Sequence, residues 1–267
     1  MSTTRFNFRP LQRSHPQPLA AIFPATCWAT GRSIAPSDNG LCQEIQQQLR
    51  RQMLWPYCQR CGSTLGPFAA RGSCQNCPHR KLGLDRIVRV GTLNGPLSRL
   101  IHSMKFARHW ALAPILAPWM ADALRHGQVG PIDQIIPIPL HWLRQWRRGF
   151  NQAFELAAEL SNILNIPCDD LLHRQRATGA QTSMQSATAR RDNLRGSFVL
   201  RNRLDISGLN IWLVDDVCTT GATLHAAAAA IRGALSATPP ASVNAVVLAV
   251  ADSAIPDLPG NQPSIAI

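Results

Sequence analysis

Apolar positions in the second half of the chain fall into two rhythms. Ile211–Val214 and Val243–Val250 are aliphatic runs with almost no polar alternation, the pattern of strands covered on both faces. Gln134–Leu140 (QIIPIPL) is a third buried run, and Asp169–His173 and Ser197–Leu200 predict shorter, weaker strands. Between these the spacing lengthens to that of helices. Leu97–Met104, His109–Leu124, Asn151–Ile163 and the Ala-rich Ala222–Leu235 read as helical, with Pro96 and Pro114 as breaks. In Asn151–Ile163 the residues Phe154, Leu156, Ala157, Leu160 and Ile163 make one apolar face. Strands that alternate with helices predict βαβ units, hence an α/β fold with a mostly parallel sheet flanked by helices. No internal repeat is apparent.

The texture differs upstream. Residues 1–26 are rich in proline and predict a loose leader. Residues 27–84 hold six of the eight cysteines and many Gly and Pro turns, with few apolar runs. A segment of that kind builds little core, so it predicts a small module that a metal helps to fold. The α/β domain then occupies residues 85–251, and residues 252–267 form a second loose, Pro-rich stretch. Inside the domain, Thr178–Leu194 is polar, rich in arginine and nearly free of aliphatics, which predicts an extended loop or hairpin.

The cysteines carry the first chemical signal. Cys58-x-x-Cys61 and Cys74-x-x-Cys77 are two tight turns of soft ligands separated by twelve residues. Four thiolates suit a closed, tetrahedral, structural Zn²⁺ site, and Gly62 permits the turn after the first pair. Free, metal-binding thiols without a disulfide framework point to a reducing, cytoplasmic setting. Cys168 and Cys218 read as small core or loop residues.

The second signal follows the Ile211–Val214 strand. Asp215 and Asp216 come next, then Val217, Cys218, Thr219, Thr220, Gly221, Ala222 and Thr223, then a helix. In an open parallel sheet, ligands bind where a strand's carboxyl end meets the next helix. The amide groups of that helix start favour a phosphate, and Gly221 lets the backbone approach it. Adjacent carboxylates repel one another unless something shares them. A ribose diol donating two hydrogen bonds, or a nearby Mg²⁺, meets that need. Helix capping alone accounts for one acid and one threonine, not for two acids and three threonines around a glycine.

Arginines supply the third. Arg144, Arg147 and Arg148 follow the QIIPIPL strand, and Gly149 precedes a helix, which forms a second anion site. A solvated basic helix start is the plainer alternative. The polar loop adds Arg174, Arg176, Arg190 and Arg191, with Thr178, Gln181 and Asn193. It reads either as a lid that orders over a bound ligand or as a segment disordered in the free protein.

Charge broadens this picture. The chain carries a formal net charge of +12, and Lys81 and Lys105 are the only lysines among its 27 basic side chains. Such a surface predicts anionic partners, nucleotide-like or nucleic acid. Aromatic residues make up only 6%, which argues against a stacking platform for single strands. No apolar run reaches the ~18 residues of a membrane span.

The string VDDVCTTGAT resembles the phosphoribosyl pyrophosphate signature of type I phosphoribosyltransferases. By that resemblance Asp215 and Asp216 hold the ribose hydroxyls, and Thr219, Thr220, Gly221, Ala222 and Thr223 cradle the 5′-phosphate. The wider pattern is similar to the competence protein F (ComF/GntX-like) family. It runs from Pro137, Pro139 and Leu140 through Arg147–Gln152 to Arg176, Thr178, Gln181, Arg191, Asn193, Leu194 and Phe198. Leu100-Ile101-His102 and Lys105-Phe106 match the family's segment before the sheet. The resemblance spans residues 55–250 or so and implies phosphoribosyl pyrophosphate bound with Mg²⁺, with Arg144, Arg147, Arg148, Gly149, Arg174, Arg176, Arg190 and Arg191 engaging its pyrophosphate. It further implies a zinc ribbon and a part in DNA uptake during natural transformation, with single-stranded DNA and competence-machinery proteins as partners. Pentosyl transfer is one expected activity. A non-catalytic DNA-handling factor or a ligand sensor on the same fold is the alternative. Relatives resemble a double zinc ribbon, but here Thr30 and Ile45 stand where the partners of Cys27 and Cys42 would fall, so a second zinc site is not expected.

Overall fold

The computed structural model describes residues 25–66, 74–78, 82–106, 109–140, 149–174, 197–201, 205–233 and 239–252. Residues 1–24 of the leader, the tail from 253 onward and the Thr178–Leu194 stretch lie outside these. In chain order the elements are α1 (Gln43–Leu54), β1 (Arg86–Thr92), α2 (Gly95–Phe106), α3 (Ala113–His126) and β2 (Gln134–Pro137). They continue with α4 (Gln152–Leu164), β3 (Leu172–Arg174), β4 (Phe198–Leu200), β5 (Asn210–Cys218), α5 (Ala222–Arg232) and β6 (Ser242–Val250).

The predicted parallel sheet is present. Four strands lie in the order β1-β6-β5-β2, and every pairing is parallel. β3 and β4 form a separate antiparallel pair on either side, in sequence, of the arginine-rich stretch. Alternation along each strand divides the core into two layers. Val88, Val90, Ile135, Trp212, Val214, Val246 and Leu248 pack with α1 to α4. Ile87, Ile136, Ile211, Leu213, Val243, Ala245 and Val247 pack with α5 and the β3–β4 pair.

Several elements depart from expectation. β1 (RIVRVGT) was not anticipated, because two arginines interrupt its aliphatic residues. Arg89 is nevertheless 1% exposed, with its guanidinium 4.9 Å from the centre of the Tyr57 ring and bonded to the Thr64 hydroxyl at 2.9 Å. α1 (QEIQQQLRRQML) was also missed, since Ile45 and Leu49 are its only buried positions. Those two residues join Cys27 and Leu41 in the same core as α2 and α3, so the N-terminal segment packs directly against the sheet. Pro96 and Pro114 sit in the first turns of α2 and α3, where a missing N–H costs nothing. β5 runs four residues beyond Val214, because its ladder with β6 continues to Cys218 opposite Val250.

A short repeat emerges in the backbone. Thr26–Ser33 and Tyr57–Thr64 each close with an antiparallel bridge between their ends. In the first, the Cys27 N–H bonds the Arg32 carbonyl at 2.8 Å and the Gly31 N–H bonds the Cys27 carbonyl at 2.7 Å. In the second, Cys58 N–H meets the Ser63 carbonyl at 2.9 Å and Gly62 N–H meets the Cys58 carbonyl at 2.7 Å. Gly31 and Gly62 take left-handed φ values of 71° and 78°. The two segments are the same turn, and only the second keeps both cysteines.

Candidate functional site

The long β5 strand presents the acid pair from within the sheet rather than from a loop. Val214 pairs with Pro137 of β2, and Asp215 pairs with Val247 of β6, so both acids sit among the carboxyl ends of three parallel strands. Alternation sends Asp216 to the side covered by α2. There Lys105, in the last turn of α2, places its Nζ 2.9 Å from an Asp216 carboxylate oxygen. The two side chains are 22% and 11% exposed, so this pair is far less screened than a surface ion pair. Asp215 accepts the Asp216 N–H at 2.8 Å. Burial pushes the Asp215 carboxyl up to about 8, the charge of Asp216 adds to that, and Lys105 opposes it.

Lys105 was not singled out from sequence. Its signals were present: it is one of two lysines in an arginine-dominated chain, and it belongs to the Lys105-Phe106 pair of the family pattern. Only the packing of α2 reveals its partner.

Beyond Cys218 the chain turns through Thr219 and Thr220 into α5. Gly221 is the N-cap, with φ 77° and ψ 3°, a conformation that side chains with a Cβ adopt at a cost. It offers no side chain to the helix start, and the Thr220 hydroxyl makes a long 3.4 Å contact with the Ala222 N–H. The first amides of α5 are thus oriented donors at the positive end of a helix dipole. Thr219 is exposed and Thr223 half-buried, so hydroxyls surround the same mouth.

The helix that follows the other predicted anion segment starts at the same edge. Asn151 caps α4 by accepting the Ala153 N–H at 3.1 Å, and its amide donates to the Ile138 carbonyl just past β2. That bond ties the start of α4 to the strand next to β5. Gly149, at φ 83°, is exposed with open space around it. Arg144, Arg147, Arg148, Arg176, Arg190 and Arg191 lie outside the described residues. Arg174 is on β3, and its guanidinium lies 5.7 Å from the centre of the Phe198 ring.

The cysteine cluster is assembled as the spacing predicts. The Cys58 and Cys77 sulfurs are 3.4 Å apart and those of Cys61 and Cys74 are 3.5 Å apart. All four lie within 4.8 Å of one another. Tetrahedral Zn–S bonds separate ligand sulfurs by ~3.8 Å, so the cluster can hold a zinc ion. Burial and the neighbouring Cys58 sulfur push the Cys77 thiol far up, and burial likewise raises Cys61. A bound cation would remove that penalty. The turn is anchored to the sheet: the Ile87 N–H bonds the Gln59 carbonyl at 2.7 Å, and a Cβ on Gly62 would meet Val250 at 2.8 Å.

Comparison with known proteins agrees with this architecture. A phosphoribosyl transferase domain matches residues 151–256. Competence protein F of Haemophilus influenzae is 38% identical over 195 residues, covering 71% of this chain and 82% of that protein. The chain belongs to the competence protein F family. Within the family's reach, DNA utilization protein YhgH of Salmonella typhi is 34% identical over 75% of this chain and 88% of its own length. Competence protein ComFC of Bacillus subtilis is 28% identical over 72% of this chain and 77% of its own length. The phosphoribosyl transferase match takes in the acid pair and the turn before α5. Among the described residues no helix is long and apolar enough to cross a membrane.

Proposed function

We propose that this competence protein F family member binds phosphoribosyl pyrophosphate with Mg²⁺ at the carboxyl end of β5 and serves DNA uptake. One observation carries the reading: two acids on one strand, one of them clamped by Lys105, lead directly into an uncapped, threonine-lined helix start. In this reading Asp215 and Asp216 accept from the ribose hydroxyls. The amides and hydroxyls of Thr219–Thr223 receive the 5′-phosphate. The arginines at 144, 147 and 148 with Gly149, and those at 174, 176, 190 and 191, meet the pyrophosphate.

The donor set fits Mg²⁺, which binds through one or two carboxylates together with phosphate oxygens. Bound there, the ion would neutralise charge on the pyrophosphate. The chain's own residues orient the ribose, and the helix start and arginines stabilise the leaving group by electrostatics. Zn²⁺ at Cys58, Cys61, Cys74 and Cys77 is structural, since four thiolates leave no open coordination position.

Calorimetric titration with phosphoribosyl pyrophosphate and Mg²⁺ tests the site. Wild type should bind, and Asp216→Asn should weaken binding at least tenfold, about 1.4 kcal/mol. Unchanged affinity in that variant would overturn the assignment. Pyrophosphate release measured against a panel of bases and nucleic acids then separates a transferase from a binding protein. The DNA role rests on the relatives named for competence and DNA utilization, together with the +12 charge. It is tested by transformation frequency in a deletion strain complemented with wild type or with Asp216→Asn.

A further inference from the structure

Lys105 owes its place to the helix that carries it. α2 leaves the edge strand β1 and brings its last turn beside the internal strand β5. Leu97, Leu100, Ile101 and Met104 bury its apolar side in the main core. The Lys105 backbone is thereby held, and its four-carbon stem is the movable part.

At the acid pair each carboxylate already holds a donor. Asp216 Oδ2 takes the Lys105 ammonium at 2.9 Å, and Asp215 Oδ1 takes the Asp216 N–H at 2.8 Å. The Asp216 side chain is largely buried, so a divalent cation reaches it only by displacing the ammonium or by settling beside it. Magnitude decides how well that works. A unit charge ~5 Å from a divalent ion lowers its affinity about tenfold even at the dielectric of water, and by more where water is scarce.

We propose that Lys105 is a positioning residue that keeps divalent cations off Asp216 in the free protein, so that Mg²⁺ enters only together with the phosphate oxygens of the ligand. This rests on the phosphoribosyl pyrophosphate site proposed above. The pyrophosphate brings negative charge that offsets the ammonium, and it supplies oxygens that one carboxylate cannot. The residue type suits the task. Lys105 is one of two lysines among 27 basic side chains. Its compact charge on a flexible stem can swing from the carboxylate towards an incoming anion. An arginine fork would grip both carboxylate oxygens and release them less readily.

The test titrates the full-length protein as isolated with Mn²⁺, a stand-in for Mg²⁺ whose free-ion EPR signal reports binding. Wild type should bind weakly at Asp216, and Lys105→Met should bind about tenfold more tightly or better. Lys105→Met combined with Asp216→Asn should lose that gain, which locates the new binding on Asp216. Lys105→Arg keeps the charge and should exclude Mn²⁺ as wild type does. A lysine with a merely structural role would not raise metal affinity on removal. Adding phosphoribosyl pyrophosphate should then tighten Mn²⁺ binding steeply in wild type and much less in Lys105→Arg. The proposal is overturned if Lys105→Met binds Mn²⁺ no better than wild type, or if the gain survives Asp216→Asn. A different result separates the ligand reading from this one. If the gain in Lys105→Met depends on Asp216 but phosphoribosyl pyrophosphate changes nothing in wild type, the ligand assignment falls and cation exclusion by Lys105 stands. Should circular dichroism show that Lys105→Met does not fold, Lys105→Gln carries the same comparison, since its neutral amide still donates to Asp216.

Discussion

Two carboxylates on consecutive residues of one strand crowd like charge together, and Lys105 lies against one of them. Its ammonium sits 2.9 Å from an Asp216 carboxylate oxygen, while burial, with the neighbouring Asp216 adding to it, pushes the Asp215 carboxyl up to about 8. Removing the lysine leaves Asp216 buried without its cation. Lys105→Met should therefore cost ~1–3 kcal/mol in urea unfolding, and adding Asp216→Asn should recover most of it in a double-mutant cycle. Additive losses would mean that the pair contributes little. The raised Asp215 gives a prediction of opposite sign. The folded state binds a proton that the unfolded chain, with a carboxyl near 3.8, has already released over the window from there to about 8. Stability from this group is thus present at the acid end and falls as pH rises through that window. Asp215→Asn should stabilise the free protein most above pH ~8 and hardly at all below ~4, followed by thermal unfolding across pH. The same variant should bind phosphoribosyl pyrophosphate less well, since a carboxamide is a poorer acceptor for a ribose hydroxyl. A gain in stability with a loss of binding is the pattern of a group kept for function.

At the scale of elements, legibility tracked how purely a segment expressed one rhythm. β6, α4 and α5 were readable because their apolar positions follow one period without interruption. β1 was not, because Arg89 is buried through a cation–π contact and a hydroxyl bond that no periodicity encodes. α1 was hidden by its glutamines; it buries two residues and relies on tertiary packing. The acids and the Thr/Gly turn were legible as a motif, whereas Lys105 became visible only when α2 was laid against β5. The zinc spacing was likewise legible, but its attachment to the sheet was not. That attachment has an observable consequence. The Ile87 amide of β1 donates to Gln59 inside the Cys58 turn. Chelating the zinc, or substituting Cys58→Ser, should release the turn and raise the exchange rate of the Ile87 amide. Leu213, in central β5, should keep its protection. Equal protection of Ile87 with and without metal would show that the turn holds its place unaided.

For the whole molecule, the excess of arginine must be weighed against the scarcity of aromatics. With 27 basic and 15 acidic side chains, the chain presents far more cation than one phosphoribosyl pyrophosphate needs. At 6% aromatic content, a stacking platform is a weaker basis for holding single strands than phosphate contact. If the protein handles DNA, it should do so through the backbone, and the affinity should be strongly salt-dependent and nearly blind to base composition. Neutralising three phosphates of a single strand gives a log–log salt slope of about −2. Arg50 and Arg51 are suited to such contacts: both are exposed at the end of α1, close in sequence to the zinc turn, and neither forms an ion pair among the described residues. Reversing both charges, Arg50→Glu with Arg51→Glu, should weaken binding of a labelled oligonucleotide in anisotropy titrations and flatten the slope. Phosphoribosyl pyrophosphate binding at β5 should remain unchanged. An affinity that survives high salt, or one that discriminates strongly between pyrimidine and purine strands, would instead require base contacts that this surface is not composed to make.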